Sequence, residues 1–231
     1  NSHGENTEVK IDTPAGRVTA YANMKDGYVE KVRFNNVPSF VYKEDMEIEL
    51  VDIGKITVDI SFSGAFYVYV RASELNLKLN ADNVDDLVEL GMKIKYKVMD
   101  ILEVEHPIEK GLKGIYGTII TDPLKRKNNR IISKNICIFA DGQIDRSPTG
   151  TGTGARVALL KKKNKIKKGD ILVNRSIINT EFLGNIVKET EIGDYRGIIP
   201  EITGDAHIMG FNQLVLDPRD PLPEGFRIIG G

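Results

Sequence analysis

Asp145–Arg156 reads DRSPTGTGTGAR, with Gly150, Gly152 and Gly154 alternating with Thr149, Thr151 and Thr153 ahead of an alanine- and leucine-rich run. A glycine-rich loop that feeds a helix aims unsatisfied backbone N–H groups at one point, and the helix dipole makes that point favourable for an anion. A phosphate loop would need Lys-Ser or Lys-Thr after its last glycine, whereas Ala155 and Arg156 follow Gly154. A dinucleotide fingerprint needs G-x-G-x-x-G directly after a strand. Here the spacing is G-x-G-x-G, and Asp141–Pro148 intervenes. A plain structural turn stays open, because Ser-Pro and Gly-Thr are common turn chemistry. Three glycines and Asp145 converging on one helix start favour a carboxylate ligand whose amine meets Asp145.

The spacing predicts that this helix begins near Thr153 and runs through ARVALLKKKNKI, with lysines at its C-terminal end and Gly169 to close it. Strands are expected on both sides of it. Upstream, EVKIDTPAGRVTAYANM, GYVEKVRFNNVPSFVY and the segment from Met46 to Leu75 alternate apolar and polar residues. Downstream, DILVNRSII, EFLGNIVKET, YRGIIPEI and IMGFNQLVL read as strands, and DPRDPLPEGF as a proline-rich exit. Val84–Met99 supplies a second helix, since Leu87, Leu90, Ile94 and Val98 fall at helical spacing behind Asp85 and Asp86. The class is α+β, rich in sheet, with few helices.

The chain has 231 residues, 41% hydrophobic and 28% charged, with a formal net charge of −1. No global field gathers it onto nucleic acid or an anionic membrane, so a small-molecule partner is expected. The single cysteine, Cys137, excludes an intramolecular disulfide and a multi-cysteine zinc site, and points to the cytoplasm. No apolar run approaches membrane-spanning length, and no signal-peptide layout opens the sequence. KKKNKIKK reads as a solvated helix end. Cys137, inside NICIFAD, reads as a small buried strand residue with its sulfur away from the anion-binding cleft. His3, His106 and His207 lack ligand spacing, so no metal site is expected, and Asp217 and Asp220 read as turn formers.

DRSPTGTG at 145–152 resembles the signature of the proline racemase superfamily, Asp-Arg-Ser-Pro, a variable position, then Gly-Thr-Gly. KIDTPAGRVTAY, NVPSFV, SGAFY, FADGQIDRSP, IIPEITG and GFNQLVLDPRDPL are also similar to family segments in family order, from about Val9 to Phe226. The resemblance implies a diaminopimelate-epimerase-like pair of pseudo-symmetric domains, each a curved sheet around a central helix. Residues 1–43 and 206–231 would belong to an incomplete first domain and 44–205 to the second. It also implies a further upstream segment with a Met-Cys-Gly-His motif that supplies a catalytic cysteine. NSHG at 1–4 is read as a leftover or tag in place of that segment.

Position 149 separates the chemistries that the resemblance allows. Racemisation removes the α-proton on one face and returns a proton on the other, which takes two groups able to exchange protons near neutral pH. Racemases and epimerases of the family carry their second thiol there. A threonine hydroxyl cannot match it. Family members with threonine resemble trans-3-hydroxy-L-proline dehydratases, lyases in which one thiol suffices because the α-hydrogen and the leaving hydroxyl share a ring face. In this reading Thr149 covers the opposite face, Gly150 and Thr151 hold the carboxylate, Asp145 holds the ring ammonium and Phe139 packs on the ring, a role that stays open beside that of an ordinary strand core residue. Neither cofactor nor metal is expected. The partner is a small imino acid, with no nucleic acid, no membrane and a homodimer left open. The alternatives are a proline racemase or hydroxyproline epimerase, and a non-catalytic amino-acid-binding chain that carries half of a site.

Overall fold

The computed structural model describes residues 6–226; the NSHG segment lies outside the described residues. β1 (Asn6–Thr13), β2 (Gly16–Lys25) and β3 (Tyr28–Asn35) form an antiparallel meander, as their alternation requires. β4 (Ser39–Leu50), β5 (Gly54–Phe62) and β6 (Phe66–Arg71) form a second one. Two 3-10 turns then lead into α1 (Val84–Ile101), which returns the chain to β7 (Ile115–Thr121), parallel to β6. β8 (Lys125–Lys127) and β10 (Gln143–Ile144) flank β9 (Arg130–Phe139). From β9 the chain crosses through α2 (Gly150–Lys162) to β11 (Ile171–Arg175), again parallel, and finishes with antiparallel β12 (Glu181–Ile192) and β13 (Tyr195–Gly204). Both parallel pairs need a helical crossover, and these two crossovers are the α-helices among the described residues.

β13 decides the architecture because it pairs twice. Residues 201–204 bind β3, while Gly197 and Ile198 bind Phe40 and Ser39 of β4. The strands β4, β5, β6, β7, β9, β11, β12 and β13 therefore close into a ring, from which β1–β3 branch. α2 packs against β4, β5, β12 and β13, and α1 against β7 and β9. β6 and the adjoining stretches of β5, β7 and β9 are buried on both faces. Val58, Ile60, Phe62, Val68 and Val70 pack with Leu87, Ile94 and Val98 of α1, while Tyr67, Tyr69, Ile119 and Cys137 face Ala155 and Leu159 of α2.

Every residue of α2 from Gly152 to Leu160 is buried, which is why no amphipathic stripe runs along it. Close approach is what two of its glycines provide. A Cβ at Gly152 would stand 2.5 Å from Ile119 Cδ1, and one at Gly154 would run into Ser63 Oγ. Ser63 Oγ is already committed, accepting hydrogen bonds from Asn36 Nδ2 (2.8 Å) and Ser39 Oγ (2.6 Å). Only Gly150 has room, with Phe34 Cζ its nearest neighbour at 3.7 Å.

Two expectations are corrected. α2 begins at Gly150, not near Thr153, because the glycines and threonines of 150–154 wind into its first turn. IMGFNQLVL forms no strand: residues 205–226 contain neither helix nor strand, and Ile208, Phe211 and Leu214 are exposed. A strand pattern becomes a strand only against a partner, and none of the described strands lies beside it.

The packing separates the glycines by experiment. Alanine ordinarily favours an exposed helix interior over glycine by about 1 kcal/mol. At Gly154 the added methyl should instead destabilise by roughly 1–3 kcal/mol through overpacking, whereas Gly150→Ala should leave stability nearly unchanged. Urea midpoints of the two variants check this contrast.

Candidate active site

The entry to α2 is built by one carboxylate. Asp145 Oδ1 accepts the Ser147 amide (2.8 Å) and Oδ2 accepts the Thr149 hydroxyl (2.9 Å). Ser147 Oγ in turn accepts the Thr149 amide at 3.0 Å, and Thr149 O accepts the Thr153 amide at 2.7 Å. Thr149 is held at φ 67° and ψ 115°, in the left-handed half of backbone space where a β-branched residue is strained by about 1–3 kcal/mol. Thr153 Oγ1 and Asn135 Nδ2 both donate to Pro148 O and hold the turn from below. The amides of Gly150 and Thr151 meet no protein acceptor among the described residues, as expected at a helix N-terminus that is not self-capped.

Asp145, Thr149, Gly150 and Thr151 line one cavity of about 490 Å³, together with Phe34 of β3, Ala65, Tyr67 of β6, Tyr116 of β7, and Cys137 and Phe139 of β9. Tyr116 stacks on Phe139 at 5.6 Å between ring centroids, and Tyr67 meets Tyr116 edge-on at 5.5 Å. Tyr67 OH shares a hydrogen bond with Thr151 Oγ1 (2.7 Å), and Tyr69 OH donates to Gly152 O (2.6 Å). Burial raises both tyrosines above the usual phenol range, so they remain neutral hydroxyls. The cavity thus joins aromatic walls to a helix N-terminus beside a carboxylate, a combination that suits a small apolar ring bearing a carboxylate and a cation.

The sequence-derived residues Phe139, Asp145, Thr149, Gly150 and Thr151 all line this cavity. Phe34, Ala65, Tyr67 and Tyr116 were missed. The one available signal was Tyr67 and Tyr69 in FYVYV: two hydroxyl-bearing rings on one strand face, with apolar residues on the other, call for polar partners on the helix side. His106 is structural, its Nδ1 accepting the Ile108 and Glu109 amides. Among the described residues no group of three His, Cys, Asp or Glu side chains could hold a metal ion, and no helix is long and apolar enough to cross a membrane.

Cys137 needs a correction. It lies in β9 and is fully buried, as expected, but it is not remote from the cleft. It is part of the cavity lining with Asp145 and Thr149. In β9, Cys137 and Phe139 fall on the same face, so placing the aromatic at the cavity places the thiol there too. Burial pushes the thiol up to about 12; the Thr149 hydroxyl opposes this and Asp145 adds to it. The thiol therefore stays protonated until pH approaches 12. Iodoacetamide at pH 8 should alkylate Cys137 in folded protein at least about 100-fold more slowly than in urea, because the thiolate is the nucleophile. Comparable rates would show an open, ionised sulfur.

Residues 2–227 match the family model described as proline racemase. The chain is 46% identical over 223 residues to a trans-3-hydroxy-L-proline dehydratase of Bacillus cereus, a match that covers 96% of this chain and 66% of that protein. It is 40% identical over 220 residues to a proline racemase of Clostridioides difficile, covering 95% and 65%. A crystal structure of a hydroxyproline epimerase from Agrobacterium vitis, with bound trans-4-hydroxy-L-proline, superposes with a TM-score of 0.87 at 32% identity over 99% of this chain and 65% of that one. The chain thus spans just under two thirds of the length of these relatives. The match runs through the sheet ring, α2 and the Asp145–Gly154 turn alike, and the chain belongs to the proline racemase family.

Proposed function

We propose that this chain carries the substrate-holding half of a trans-3-hydroxy-L-proline dehydratase, a lyase that needs no cofactor and acts in the cytoplasm. The observation that carries the reading is Thr149. Its hydroxyl is spent on Asp145 at the cavity wall, where a racemase needs a second proton-exchanging thiol. Cys137 does not replace that thiol, because it is buried in the cavity wall and burial holds its thiol protonated at neutral pH. The dehydratase name of the Bacillus cereus relative supports the same choice.

In this reading the substrate carboxylate sits on the free amides of Gly150 and Thr151, where the α2 dipole also steadies charge as the α-carbon loses its proton. Asp145 keeps its two hydrogen bonds to the turn and offers its remaining lone pairs to the ring ammonium. Phe139, backed by Tyr116, packs on the pyrrolidine ring. A thiolate from outside the described residues takes the α-proton on the face away from Thr149. The electron pair left at the α-carbon forms the double bond and expels the C3 hydroxyl, which leaves as water with the proton the thiol returns. The enamine then tautomerises to pyrroline-2-carboxylate.

The finer fold reading is two pseudo-symmetric domains of the diaminopimelate epimerase kind, with 44–205 as the second and 1–43 and 206–231 as parts of the first. It is supported by the closed ring of β4 to β13 around α2 and by the branching of β1–β3 from it.

Assayed as full-length protein, the wild type should dehydrate trans-3-hydroxy-L-proline and should not measurably interconvert L- and D-proline; efficient racemisation would exclude the one-thiol reading. Thr149→Cys should be made in a Cys137→Ala background, since the two side chains share the cavity wall and a second thiol would invite a disulfide. That variant should gain α-deuteration of proline in D₂O. Asp145→Asn keeps an acceptor for the Ser147 amide but loses the charge, so KM should rise by about 10–100-fold, the worth of one charged hydrogen bond. An unchanged KM would remove Asp145 from ammonium binding.

A further inference from the structure

We propose that a second cavity, beside the C-terminal half of α2, is a binding site for an α-amino acid with an aliphatic side chain. It measures about 260 Å³ and shares no lining residue with the cavity at Thr149. Arg156 lines it, only 3% exposed, and donates to Asn174 Oδ1 (2.7 Å) and Ser133 Oγ (2.6 Å), both neutral. No carboxylate lies within ion-pairing distance of this guanidinium among the described residues. A buried charge that is hydrogen-bonded only to neutral groups remains costly, and a counter-ion in the adjoining space lowers that cost.

Asp122 is the second charge at this cavity without a direct ion pair among the described residues. Its side chain lines the same cavity without an ion-pair partner among the described residues, and burial raises its carboxyl above the usual range despite the pull of Lys134 and Arg156. The other charges at the rim are already answered. Lys163 is clamped between Asp45 (2.9 Å) and Asp59 (2.7 Å), Arg71 pairs with Glu74, and Lys165 is exposed to solvent. Val70, Pro123, Leu124, Leu159 and Leu160 form an apolar stretch of the wall, beside Thr57, Tyr69, Ser73 and Thr121. A cation and an anion that make no direct ion pair, with an aliphatic stretch of wall, complement a zwitterion with an alkyl chain. A bare carboxylate would satisfy Arg156 but set a second negative charge beside Asp122. The carboxylate therefore goes to Arg156, the ammonium to Asp122 and the chain to the leucines.

L-Norleucine and hexanoate differ only in the amino group, which makes them the matched pair for isothermal titration of the full-length protein. Norleucine should bind saturably at one site, and hexanoate at least about tenfold more weakly, as expected for the loss of one charged contact. Asp122→Asn should weaken norleucine by a similar factor and should bind hexanoate no more weakly than the wild type, because the repelling charge is gone. Leu124→Trp, at a half-buried position that leaves Arg156 and its hydrogen bonds intact, should fill the cavity and abolish binding while far-ultraviolet circular dichroism stays unchanged. Three results would each overturn the proposal: no saturable norleucine binding, equal affinity for hexanoate, or norleucine binding that survives Leu124→Trp and so belongs to the turn at Thr149.

Discussion

The hydrogen bonds that the Asp145 carboxylate accepts from the Ser147 amide and the Thr149 hydroxyl determine where α2 begins. They help to keep Thr149 at a positive φ, a conformation a β-branched residue does not choose unaided. With them, the chain turns sharply out of β9 and β10 and enters the sheet ring at Gly150. The first free amides of the helix are thereby left at the cavity wall. The strain at Thr149 is carried by a fold that closes around the helix on every side, which is how strained residues persist at sites of binding or chemistry.

The enclosure of α2 exacts a sequence requirement of its own. A helix buried all round needs small residues wherever strands approach, and Gly152 and Gly154 stand against Ile119 and Ser63 for that reason. The same strands bring Tyr67, Tyr69 and Cys137 to the helix, so the packing surface and the cavity lining are one surface. Arg156 extends this polar seam inward: Asn174 accepts from its guanidinium and donates to Thr153 Oγ1 at 2.9 Å, and Thr153 reaches Pro148 just ahead of Thr149. The turn is supported from the charged interior of the ring as well as from Asp145.

Much of this was legible in the sequence wherever periodicity and turn chemistry act locally. The alternating strands on both sides of α2 and the helix from Val84 follow the pattern of their own residues. The Asp145–Thr151 half of the cavity was also readable, because it is contiguous and bears a family signature. Phe34, Ala65, Tyr67 and Tyr116 were not, since they reach the cavity only through the pairing of β3 with β13 and of β6 with β7, and long-range pairing leaves no local mark. The glycine triplet misled in part. It announces an anion site, yet two of its three members are set by packing. For Cys137 the pattern gives the interior but not the cavity, because alternation gives a face and not what that face meets. The 208–216 segment shows the converse limit, a strand pattern with no strand beside it.

In the proposed function the free amides at the start of α2 hold the substrate carboxylate while Asp145 faces its ring nitrogen. A crystal structure of the full-length protein with trans-3-hydroxy-L-proline tests this most directly. The predicted complex has carboxylate oxygens about 2.8–3.0 Å from the Gly150 and Thr151 nitrogens and the ring nitrogen within hydrogen-bonding reach of Asp145. The Thr149 hydroxyl should still be bonded to Asp145 on the ring face opposite the α-hydrogen. A carboxylate bound elsewhere, or a ring whose α-hydrogen points at Thr149, would contradict it.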